Sequence, residues 1–192
     1  MSFLLYLLGA LKPDIIKADL FRYFGKSDYY SFKKALSIPG FHYTLYYRLC
    51  KIKSKYSLLG LYSRFMYKRL MFKYGFQIPA KTLIGRGFRI SHYGATVINY
   101  DTIIGENFYL SHNVTIGKIH TGSKAGAPVI GNRVWVGPGA VIVGRIKIGD
   151  NVLISGNAFV NIDVPSNSIV IGNPAKIIPS EKATDDYITF KV

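Results

Sequence analysis

Four histidines, His42, His92, His112 and His120, are the side chains of this 192-residue sequence best suited to moving a proton near neutral pH. A lone imidazole is more often a hydrogen-bonded structural group than a catalyst, so the segment around each one has to decide. His92 stands in RISHYGATVIN, where small residues leave room for a ligand. An imidazole there is suited to general-base work, taking a proton from an attacking nucleophile. His112 follows in LSHNVTIG, either as a second polar group of the site or as a stacked corner residue. Cys50 is the sole cysteine, sits in no nucleophile motif and can form no internal disulfide, which suits a reducing compartment. No Ser or Cys is paired with a His in a nucleophile motif, so no covalent intermediate on the protein is expected.

The elements that must position these residues are announced by a period of six. Aliphatic residues recur at Ile130, Val136, Ile142, Ile148, Ile154 and Val160, with Gly, Asp or Asn between them. A helix repeats its buried face about every 3.6 residues and a strand every two, so neither explains this spacing. A coil with three flat faces does, with one aliphatic per face pointing inward and stacking on its counterpart in the next coil. Four residues after each aliphatic come Val134, Ala140, Ile146, Val152 and Ala158, compact enough to fill a corner. The rhythm starts at Ile78, Ile84 and Ile90, then slips by two residues before Ile98, Ile104, Leu110 and Ile116. His92 lies in that slip. A second departure puts 14 residues between Ile116 and Ile130, so residues 118–128 leave the coil as a small polar loop, the mobile edge of a site. The predicted fold is therefore mainly β, a parallel β-helix of about four coils preceded by a small α-helical region.

Residues 1–75 form that basic, aromatic-rich helical region, residues 76–178 the β-helix, and residues 179–192 a tail. Up to Leu36 the pattern predicts one or two short helices, interrupted at Gly25 and broken near Pro39. Two longer helices are predicted at about 41–54 and 57–74. The net charge of +15 sits mainly here: residues 1–77 hold 14 Lys and Arg against Asp14, Asp19 and Asp28. The apolar stripes are expected to pack on each other and on the first coil; a Tyr- and Lys-rich face could also lie on an anionic membrane. No nucleic-acid-binding module is recognisable, and no nucleic-acid partner is expected. The N-terminal run SFLLYLLGAL is too short for a membrane span and poorly shaped for a signal peptide. A cytoplasmic protein is expected, peripheral at the inner face of the membrane if the basic helices touch lipid. Prolines 165, 174 and 179 preclude a long helix after Val160, and the final residues are left between one short helical turn and a loose end.

With the six-residue rhythm in view, the sequence resembles the hexapeptide-repeat acyltransferases, and the segments PGFHYTLYYR, IGRGFRISHYG, VTIG and IGNPAKII resemble the serine acetyltransferase branch and its relatives that O-acetylate surface polysaccharides. The resemblance implies a left-handed β-helix, a homotrimer with active sites between subunits, and acetyl-CoA as co-substrate. It carries the general base onto His92, and the edge that contacts CoA onto Gly117, Gly137, Pro138, Ser155, Gly156, Pro174 and Lys176. Two departures bear on the acceptor. Gln77 stands where serine acetyltransferases have an Asp supporting that His, and Gly126 and Ala127 stand where they have an Arg–His pair. A charge-assisted grip on an amino-acid carboxylate is then missing. VIN after the His segment and the Gly-Ala-Pro before the perfect repeats resemble the polysaccharide enzymes, so a saccharide hydroxyl is the expected acceptor, with serine O-acetylation for cysteine synthesis the alternative. Asn99 either contacts that acceptor or orders a turn. His92, His112 and His120 are not expected to hold a metal, since a zinc site needs three ligands converging on one point.

Overall fold

The computed structural model describes residues 13–192 of the chain. The predicted start of the first helical segment, and the SFLLYLLGAL run, lie outside the described residues. Helix α1, Asp14–Phe24, stops where Gly25 turns left-handed at φ 64. Helix α2, Tyr29–Ala35, is capped by Asp28, whose carboxylate accepts from Ser31 N at 2.7 Å. The break expected near Pro39 is present, since α2 ends at Ala35 and residues 36–38 are not helical. Pro39 itself opens helix α3, Pro39–Ile52, at the first-turn position where a missing N–H costs nothing. Helix α4, Leu58–Tyr74, begins under the Ser57 cap and ends at Gly75, φ 73. Among the described residues no helix is long and apolar enough to cross a membrane.

From Phe76 the chain winds as a left-handed parallel β-helix. Its first coil carries β1 (Phe76–Gln77), β2 (Leu83–Ile84) and β3 (Arg89–Ile90). The second carries β4 (Thr96–Ile98), β5 (Ile103–Ile104) and β6 (Tyr109–Leu110), and the third β7 (Thr115–Gly117), β8 (Val129–Ile130) and β9 (Val134–Val136). The fourth has β10 (Val141–Val143), β11 (Lys147–Ile148) and β12 (Val152–Ile154). A fifth turn follows, one more than expected: β13 (Phe159–Val160), a bridge from Val164 to Ile148, and β14 (Ser168–Ile171). The three faces are sheets ordered β1-β4-β7-β10-β13, β2-β5-β8-β11 and β3-β6-β9-β12-β14, the last extended by antiparallel β15 (Lys176–Pro179).

The register explains the period of six. Ile90, Leu110, Val136, Ile154 and Val170 lie in line on one face. Ile84, Ile104, Ile130 and Ile148 do so on the second, and Ile98, Ile116, Ile142 and Val160 on the third. All are buried and form one continuous core, which the apolar faces of the helices join through residues such as Leu20, Phe41 and Tyr46.

In this stack each coil donates its N–H groups to the carbonyls of the next, as Gly85 N does to Ile104 O at 2.9 Å. The carbonyls of the first coil have no coil above them, and an orphaned acceptor is costly when buried. The helices supply the missing donors. Tyr43 Oη and Tyr67 Oη donate to Ile78 O, Tyr47 Oη to Thr82 O, and Tyr23 Oη to Ile90 O. Arg48 donates to Ile84 O and Gly85 O at 2.7 and 2.6 Å, while Asp19 holds its guanidinium through bonds of 2.7 and 3.2 Å. The tyrosines and Arg48 of the helical region therefore close the open end of the coil stack.

The tail is neither a loose end nor a lone turn. Beyond β15 it runs back along the solenoid, with Tyr187 against Trp135 at 4.6 Å and Ile188 fully buried. Asn107 Nδ2 donates to Val192 O at 2.9 Å, and Arg22 donates to Phe190 O.

Candidate active site

The slip in the rhythm is a widened corner between β3 and β4. Gly94 sits there at φ 143, a conformation open to glycine and strained for other residues. Gly94 N donates to Tyr74 O and Thr96 N to Gly75 O, both at 3.0 Å, so the end of α4 pins this corner. His92 projects from it exposed to solvent. The corner one coil below carries His112, and the two rings meet at 5.6 Å, perpendicular to each other. That separation is close to the spacing of neighbouring strands, so the imidazoles are stacked by the coil itself. Nδ1 of His112 is buried without a hydrogen-bond partner among the described residues. Neither imidazole is ion-paired with a carboxylate among those residues.

The same edge continues downward with small residues. Gly139 N donates to His112 O at 3.1 Å, Asn157 N to Pro138 O at 2.9 Å, and Phe159 N to Gly172 O at 3.0 Å. His92, His112, Gly137, Pro138, Ser155 and Gly156 therefore form one column, and Pro174 and Lys176 lie exposed at its lower end around the β14–β15 turn. Gly137 is also required by the stacking, because a Cβ there would meet Gly156 N at 2.6 Å.

Two predicted residues stand apart. Asn99 and Gly117 lie at the far ends of β4 and β7, roughly 10 Å along the strands from the histidine corners. Asn99 Oδ1 accepts from Asp101 N at 3.0 Å, so within this chain it orders a turn. Gln77, in β1 beside Val97, lines a groove of about 380 Å³ with Met71, Phe72, Gly75 and Phe76.

Residues 118–128 are not a loose edge. Ile119 and Gly126 pair antiparallel with bonds of 3.0 and 2.8 Å, making a hairpin. Lys124 Nζ donates to Asn161 O and Arg145 to Ser123 O, tying it to the coils below. His120 is exposed on this hairpin, and among the described residues no three His, Cys, Asp or Glu side chains are grouped as metal ligands would be. Cys50 is buried, and that burial pushes its thiol up to about 11, against the opposing pull of Arg64. It is a core thiol and not a nucleophile.

The sequence missed the aromatic wall beside His92. Tyr93, largely exposed, faces Tyr74 of α4 at 6.5 Å, and Tyr74 in turn lies 3.4 Å from His42 Nδ1. Tyr93 was in plain view next to His92. Tyr74 carried no signal, because a contact between a helix end and a coil corner leaves no local pattern.

Comparison with known proteins decides the family. Residues 127–161 match the model of the bacterial transferase hexapeptide (six repeats). A serine acetyltransferase of Helicobacter pylori is 38% identical over 149 residues, 77% of this chain and 85% of its own length. The chain belongs to the hexapeptide-repeat acetyltransferases, in the branch that holds the serine acetyltransferases. A putative colanic acid biosynthesis acetyltransferase of Escherichia coli is also similar to this acetyltransferase, 38% identical over 104 residues, covering 54% of this chain and 64% of the relative. Among solved structures, soybean serine acetyltransferase superposes with a TM-score of 0.70 at 28% identity, covering 88% of this chain and 69% of that one. The serine complex of the Neisseria gonorrhoeae serine acetyltransferase gives 0.71 at 26%, covering 89% and 72%. The expected left-handed β-helix and the expected acetyl transfer both stand; the comparisons favour a serine acceptor over the expected saccharide.

Proposed function

We propose that this acetyltransferase moves the acetyl group of acetyl-CoA onto a hydroxyl of a surface or capsular saccharide or its precursor, with His92 as general base. His92 takes the hydroxyl proton as the oxygen attacks the thioester carbonyl. The C–S bond breaks, the proton passes to the departing CoA sulfur, and an O-acetyl ester and free CoA result. Backbone N–H groups stabilise the oxyanion, and the column from Gly137 to Gly156, with Lys176 near its end, lets the pantetheine arm approach closely. The functional unit is a cytoplasmic homotrimer in which a neighbouring subunit completes the cleft.

The observation that carries the acceptor class is the neutrality of the histidine corner. His92 has His112 and the neighbouring Tyr93 beside it, neither imidazole is ion-paired with a carboxylate among the described residues, and Gly126 and Ala127 carry no side chain able to hold an amino-acid carboxylate. A site that recognises a zwitterion needs charged partners for it. Serine O-acetylation is the second reading, and the comparisons support it more strongly: the H. pylori relative matches over most of its length, whereas the polysaccharide relative matches over less.

Thiol release from acetyl-CoA, measured with L-serine and separately with sugar nucleotides and oligosaccharides, separates the two. Saccharide-dependent turnover, with an acetyl ester found by mass spectrometry, supports the first reading. Turnover with serine alone overturns it in favour of the second.

A further inference from the structure

Helix α4 has two apolar faces. Gly60, Ser63 and Leu70 turn inward and are buried. At about 100° per residue, Leu58, Leu61, Phe65 and Phe72 fall within about 60° of one another on the opposite side. They are 88%, 56%, 63% and 81% exposed. Singly exposed apolar residues need no explanation, but a row of four along one face of one helix does. The row is flanked by Lys68 on one side and by Arg69 and Lys73 on the other, all exposed and none ion-paired among the described residues. No Asp or Glu occurs between Asp28 and Asp101, so this region carries nothing to neutralise them.

We infer that α4 is the site at which the protein docks on an anionic lipid bilayer. The helix lies in the membrane surface with its outer apolar row among the acyl chains and its cations among the headgroups. Charge favours this occupant over a twofold contact with a second copy of the chain. Two copies joined through this face by a twofold axis would bring identical cations together with no acidic partner. Docking also places the candidate active site near the lipid surface, because Tyr74 and Gly75 at the end of α4 hold the His92 corner by two backbone hydrogen bonds. The inference is independent of which hydroxyl is acetylated.

The test is flotation of the full-length protein with phosphatidylcholine vesicles, with and without phosphatidylglycerol, at low and high salt. Binding is expected to the anionic vesicles alone and to weaken with salt. The pair Lys68→Gln and Arg69→Gln should weaken it about 25-fold, roughly fivefold per charge. Leu61→Ser with Phe65→Ser, which keeps every charge, should weaken it at least about tenfold. These positions are exposed, so circular dichroism and the melting temperature should stay as in the parent. Absent flotation at low salt, or equal flotation of the variants, overturns the inference. So does a drop in oligomeric mass on Leu61→Ser with Phe65→Ser, which would make the row an interface between copies.

Discussion

His92 and His112 are paired by the coil and not by a hydrogen bond, since their rings meet face to edge at 5.6 Å. Beside His92 as the proposed base, His112 is placed to act as a positioning residue that limits the rotation of that ring. Replacing it by Ala should lower kcat by about tenfold to a hundredfold with little change in KM, because a base displaced slightly loses rate more than binding. Steady-state kinetics on His112→Ala and His112→Gln check this, the Gln variant recovering part of the loss by refilling the corner; unchanged kcat in both would leave His112 a structural residue. His42 offers a second prediction at this scale. Burial, and secondarily the charge of Lys73, hold its imidazole below the usual 6.5. The unfolded chain then binds the proton more readily, so the stability contributed is full above about 6.5 and is lost as pH falls below it. Melting temperatures between neutral and mildly acidic pH should fall more steeply in the parent than in His42→Phe.

At the scale of elements, the helical region and the solenoid are held by donors that reach across the chain. Burial raises the Asp19 carboxyl, while Arg48 and the Phe88 N–H at 2.8 Å pull it back. Removing Asp19 leaves the Arg48 guanidinium buried and unpaired, so Asp19→Ala should cost about 3–5 kcal/mol, read from the urea midpoint. Tyr47→Phe, which strips one cap from the first coil, should cost about 1 kcal/mol. The coils were legible in the sequence because an aliphatic every six residues leaves few geometries open, and the slip at His92 was legible as a break in that rhythm. The capping was not. Tyr43 and Ile78, or Asp19 and Phe88, lie far apart in the chain, and a tyrosine on an apolar stripe reads as core until the carbonyl beneath it is seen. For the same reason the 118–128 segment read as loose: its small polar residues hide a hairpin whose ties to Asn161 and Arg145 are long-range.

At the scale of the whole molecule, helices and coils share one core, so the helical region is a lid on the stack and not a separable appendage. The column from His92 to Gly156 is straight because the register never shifts between β3 and β14, and His92, the proposed base, sits where the coil widens. The acceptor was the least legible part, since it depends on which charged groups are missing from one corner and, in the proposed trimer, on what a neighbouring subunit would bring to it. A cleft between subunits predicts a trimer by light scattering, with the same mass for His92→Ala. The most direct measurement of the central claim is acetyl transfer by that variant beside the parent, with acetyl-CoA and the acceptor found in the screen. With His92 as general base, kcat should fall about 10²–10⁴-fold in a protein that still folds and assembles; turnover within a few-fold of the parent would contradict that role.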